Sequence, residues 1–89
     1  MKFIVSSKSL QAAVNKHLIE SDDLDVVIDF KGDNLKIGNE TLFVTGRDEG
    51  RVIIARDAIW RLNFTLREVP DQPLTITFDS KIIIQSITL

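Results

Sequence analysis

Cysteine is absent from this 89-residue chain, which excludes disulfide bonds and thiolate metal sites and suits a reducing compartment, so a cytoplasmic protein is expected. Long apolar runs are absent too. The opening MKFIVSSKSL turns polar too soon to be the apolar region of a secretory signal or a membrane span, and no membrane association is expected. Without secretion, the N-x-T sequences at Asn39 and Asn63 are chance matches. Histidine occurs once, as His17, so a nucleophile-base-orienter triad with a histidine partner has little to draw on. Glycine is scarce, and Gly32, Gly38, Gly46 and Gly50 each stand at an apparent turn, which leaves no glycine-rich phosphate loop.

The remaining chemistry-bearing residues point the same way. Ser6, Ser7 and Ser9 lie at a strand-to-helix turn without the G-x-S-x-G context of a nucleophile elbow, and read as helix-capping residues. Asp22, Asp23, Asp25 and Asp29 form the densest acidic group, but they lack the glycine and terminal glutamate of a calcium loop and read as a solvated turn. His17 falls on the apolar side of a helical pattern, beside Leu10 and Val14, as a packing residue. No cofactor, metal or small-molecule substrate is indicated, and a non-enzymatic role is expected.

What is present is enough apolar sequence to fold. With 44% hydrophobic and 27% charged residues, burial offsets ordering entropy, and the length fits a single domain over residues 1–89. Lys2 to Ser6 reads as a strand. From Leu10, apolar residues recur at Ala13, Val14 and Leu18 with Lys8, Gln11, Asn15 and Lys16 opposite, the spacing of an amphipathic helix broken by the acidic stretch Glu20 to Asp23. Leu24 to Phe30, Leu35 to Ile37 and Leu42 to Val44 read as strands around the turns Lys31 to Asn34 and Gly38-Asn39, and Gly46 to Gly50 as a loop.

After that loop the order repeats. Val52 to Ala55 overlie Phe3 to Ser6 at a shift of 49 residues, Ile59 falls on Leu10, Leu74 to Phe78 match Val26 to Phe30, and with one gap Ile82 to Ile84 match Leu35 to Ile37. Half-repeats of about 1–46 and 47–89 follow. Residues 58–67 carry two periods: Trp60, Leu62, Phe64 and Leu66 alternate as in a strand, whereas Ala58, Ile59, Leu62, Leu66 and Val69 share one helical face. Pro70 and Pro73 just beyond favour the helix. The expected fold is α+β, two strand-helix-strands units whose helices pack on antiparallel sheet.

The segment MKFIVSSKSLQAAVNKHL resembles the opening of the first domain of bacterial replicative sliding clamps, the β subunit of DNA polymerase III. EGRVIIARDAIWRLNFTL, residues 49–66, resembles that domain's second strand-helix step, and DQPLTITFDSKIIIQSITL, residues 71–89, its closing strands. The resemblance implies a DNA-clamp fold with an internal pseudo-twofold and a place near DNA replication machinery. The family's chain carries three such domains and six surround the duplex, so a ring built from this sequence would require about six copies. Residues 19–25 stand where the family has a longer loop toward DNA, and the family's partner-peptide groove lies between domains with no counterpart here.

Charge is uneven along the chain. Residues 7–18 hold Lys8 and Lys16 without an acid, and residues 56–68 hold Arg56, Arg61 and Arg67 against Asp57 and Glu68, so the helices carry +3 and the remainder −5 of a net −2. These five cations are the candidate contacts to duplex DNA, which the clamp resemblance implies as a ligand. Trp60 and Phe64, four residues apart and opposite the Ile59, Leu62 and Leu66 face, form with the arginines a candidate association surface. The apolar run at the C-terminal end, with Ile83 and Ile87, is a second candidate interface. The expected function is a small clamp-like binding module acting through self-association or a protein partner. The alternative is a homo-oligomeric ring that contacts duplex DNA through its basic helix faces.

Overall fold

A computed structural model describes residues 2–46, 49–78 and 82–86, the last five by their backbone. Among these residues the elements run β1 (Lys2–Ser6), α1 (Ser7–Glu20), β2 (Asp25–Lys31), β3 (Asn34–Ile37), β4 (Glu40–Phe43), β5 (Gly50–Ala55), α2 (Arg56–Glu68), β6 (Pro73–Phe78) and β7 (Ile82–Ser86). The class is α+β, as the hydrophobic periods predict. The segment with two competing periods is helical. A helix puts Ile59, Leu62 and Leu66 on one face and buries all three, whereas a strand would set Ile59 among the arginines.

Among the described residues all ladders are antiparallel and form two sheets, ordered β1-β6-β7 and β4-β3-β2-β5. Strands cross between the ends of the chain. β1 pairs with β6, placing Phe3 opposite Ile76 and Val5 opposite Leu74. β5 returns to β2, placing Val52 opposite Ile28 and Ile54 opposite Val26. The sheets are stitched where Ile4 and Thr45 exchange backbone hydrogen bonds of 2.7 and 2.8 Å. Gly46 follows at once, because a Cβ there would lie 2.8 Å from the Phe30 ring and 3.0 Å from the Lys2 carbonyl oxygen.

Alternate strand residues supply one core: Phe3 and Val5 from β1, Val26, Ile28 and Phe30 from β2, and Leu74, Ile76 and Phe78 from β6. Both helices cover this face and lie against each other, α1 through Leu10, Val14 and Leu18 and α2 through its Ile59 face. Phe3 is the hub, with its ring centroid 5.6 Å from Phe30 and 5.5 Å from Phe78. On the outer sheet surface Asp29 accepts a 2.8 Å hydrogen bond from Arg51 directly across the β2–β5 ladder. That bond and the charge of Asp29 raise the Arg51 pKa further above its ordinary value.

Several boundaries differ from the sequence-based expectation. The first helix holds until Glu20, and the next strand begins at Asp25, leaving Leu24 outside it. β4 is Glu40–Phe43, starting two residues and ending one residue earlier than expected, and Gly50 opens β5 instead of ending a loop. Of the three serines, Ser6 is the N-cap and accepts from the Ser9 amide. Ser7 does something else: it is buried, and its hydroxyl donates to the Pro70 carbonyl and accepts from the Gln72 amide, both at 3.0 Å. Among the described residues no helix is long and apolar enough to cross a membrane.

Candidate association surface

The surface of α2 follows from its core. Turning Ile59, Leu62 and Leu66 inward at about 100° per residue forces Trp60 and Phe64 outward. Trp60 is 40% exposed and Phe64 59%, and their ring centroids are 6.1 Å apart at 34°. The Arg67 guanidinium lies 5.9 Å from the Phe64 ring centre, in cation–π range. The result is a ridge one helix wide, of two aromatic rings with an arginine laid along it. Such rings bury a large area at little conformational cost when a partner covers them.

The five candidate DNA-contact cations are in different states. Lys16 pairs with Glu40 at 3.5 Å, Arg67 rests on Phe64, and Arg56 is half-buried. The Arg56 guanidinium donates to the Ser21 carbonyl and, at 2.7 Å, to the Leu18 carbonyl, while its backbone amide donates to the Leu24 carbonyl at 2.8 Å. It thereby caps the last turn of α1, where carbonyls have no helical partner. Lys8 and Arg61 are exposed and make no side-chain hydrogen bond or ion pair among the described residues. The helix seam is closed by Gln11, which donates to Asn63 at 3.2 Å. Asn63 is buried, so that N-x-T sequence is inaccessible in the folded chain.

Arg56→Ala is expected to lower stability by about 2 kcal/mol, because two carbonyls lose a charged donor in a partly buried place. Arg56→Lys should recover less than half, since an ammonium does not reproduce the planar fork. Urea unfolding midpoints check both. An unchanged midpoint for Arg56→Ala would show that the guanidinium does not hold the helix end.

The second candidate interface is placed in part. Ile83 lies opposite Thr77 in the β6–β7 ladder, with β7 at the end of its sheet, and Ile87 lies outside the described residues. Two features were missed by the sequence reading. Ile19 and Leu24 are 76% and 82% exposed and flank the acidic turn after α1; a leucine between Asp23 and Asp25 was a readable signal. Ile4 and Phe43 line, with Thr45 and Pro73, a shallow groove beside the contact between the two sheets. His17 is buried as expected, yet its Nε2 has no hydrogen-bond partner among the described residues. Comparison of the chain with models of protein families finds no match, and comparison with curated proteins finds none.

Proposed function

We propose that this chain is a non-catalytic, clamp-like binding module that works by protein association through the α2 ridge. The observation that carries the association is Trp60 and Phe64 standing side by side in solvent with Arg67 across them. The clamp-like reading is supported by an exchange relation in the strand pairing. Shifting β1 by 49 residues and β6 back by 48 turns the pair Val5–Leu74 into Ile54–Val26, and Phe3–Ile76 into Val52–Ile28. The hairpins agree, as Phe30–Leu35 corresponds to Phe78–Ile82. So do the helix starts: the Ser7 amide donates to the Gln72 carbonyl as the Arg56 amide donates to that of Leu24. Pseudo-twofold halves that swap a strand account for all of these at once.

The reading through duplex DNA has less to work with. Of the five helix cations, Arg56 is committed to backbone carbonyls and Lys16 pairs with Glu40, which leaves three, and phosphate affinity grows with the number of free cations. A photo-crosslinking residue at position 64, compared with one at Phe43 on the outer sheet face, separates the two in living cells. Protein adducts at 64 and few at 43 are expected. Absence of adducts at 64, or equal yields at both positions, would sink the association reading. Retention of the purified protein on duplex DNA, falling steeply with salt, would favour the ring.

A further inference from the structure

The occupant of the ridge is suggested by what lies beside it. Arg56 ties the first turn of α2 to the last turn of α1 through the Leu18 and Ser21 carbonyls, and Trp60 follows Arg56 by one helical turn, about 6 Å. The aromatic ridge and the corner formed by residues 19–25 are therefore neighbours on one surface. Their chemistries are complementary. The corner holds the exposed Ile19 and Leu24 among Glu20, Asp22, Asp23 and Asp25, with no cation in that run. The helix holding the ridge carries three arginines against Asp57 and Glu68.

We propose that the partner of the ridge is a second copy of this chain, bound about a two-fold axis so that each ridge receives the acidic, apolar corner of the other copy. This rests on reading the ridge as an association surface. Unlike regions side by side on one face become self-complementary under a two-fold rotation, because ridge meets corner twice and the contact closes at two chains. Leu24 and Ile19 would lie against the Trp60 and Phe64 rings, with Asp22 and Asp23 facing Arg61 and Arg67. An interface of a few apolar side chains and four charges per copy belongs to the small, transient class. Its charged share makes it sensitive to salt.

The test is the mass of the purified full chain by sedimentation equilibrium. Mass is expected to rise with concentration from one chain to two and no further, and association should weaken roughly tenfold on going from low to high salt. Asp22→Lys with Asp23→Lys neutralises the corner and sets lysines opposite Arg61 and Arg67, and Arg61→Glu with Arg67→Glu sets glutamates opposite Asp22 and Asp23. Each double variant alone should stay a single chain, and an equal mixture of the two should restore the dimer. Ile19→Ser with Leu24→Ser, which changes no charge, should weaken association roughly tenfold or more. Circular dichroism melts identify any variant that fails to fold. A wild-type mass of one chain at all concentrations, masses beyond two, or a mixture that stays monomeric would overturn the two-fold dimer. In-cell adducts at position 64 with another protein, alongside a monomeric purified chain, would keep the ridge and reject the second copy. No adducts of any kind would reject the ridge itself.

Discussion

Replacing Phe3 with alanine is expected to cost about 3–5 kcal/mol, the range for removing a large aromatic side chain from a packed core. Phe3 is buried to 1% exposure and is the ring on which Phe30 and Phe78 converge. Phe30 belongs to the four-stranded sheet, Phe3 and Phe78 to the three-stranded one, so the cavity would open where the sheets share their core. A domain of this length has a total stability of roughly 4–13 kcal/mol, and the loss is a large part of it. Phe3→Leu keeps most of the volume and should cost about 1–1.5 kcal/mol. Urea unfolding with a fluorescence or circular-dichroism signal measures both. A Phe3→Ala loss below about 1 kcal/mol would mean that the aromatic hub does not join the sheets.

Gly38→Ala is the second large effect, at about 2–5 kcal/mol, and it has two separable causes. Gly38 has φ +58°, a left-handed conformation that costs a residue with a Cβ roughly 1–2 kcal/mol. Its Cβ would also fall 2.2 Å from His17 Nδ1 and 2.4 Å from Cε1. The His17 ring is buried against this turn, so relieving the clash means moving a packed side chain, at roughly 1–3 kcal/mol. Gly32 is the internal control: φ is +64° and nothing among the described residues stands within 4 Å of its Cβ position, so Gly32→Ala should show the backbone cost alone. In a His17→Ala background the cost of Gly38→Ala should fall to that of Gly32→Ala, a coupling between neighbours that a double-mutant cycle reads directly. Equal costs of Gly38→Ala in both backgrounds would exclude the steric contact.

The elements were legible where one period dominates. Alternation in Lys2–Ser6 and Pro73–Phe78 and the Leu10, Val14, Leu18 spacing each specify a face, because a side chain's direction depends only on its place in the strand or helix. Trp60 to Arg67 resisted this, since leucine at 62 and 66 satisfies both periods; the deciding residue is Ile59, which only a helix brings inward. Element ends were less legible. Leu24 continues an apolar pattern but lies one residue before β2, where the Arg56 amide takes its carbonyl.

The ridge was legible as soon as α2 was taken as a helix, but the state of its neighbours was not. Arg56, Arg61 and Arg67 are equivalent cations in the sequence. In the fold one caps α1, one stands free of side-chain partners among the described residues, and one lies on a ring. Ser7 similarly looks like a capping serine beside Ser6, yet it fastens the chain after α2 to the start of α1.

By itself, then, the sequence determined the α+β class and, outside residues 58–67, the order of strands and helices and the buried face of each. Those are consequences of local periodicity, which needs no knowledge of distant residues. Only the tertiary structure decided that β1 crosses to β6 and β5 to β2, that Gly38 makes room for His17, that Arg56 holds the end of α1, and that the acidic corner meets the first turn of α2. Each joins residues far apart in the chain, and which distant groups meet is set by how the buried faces close into one core.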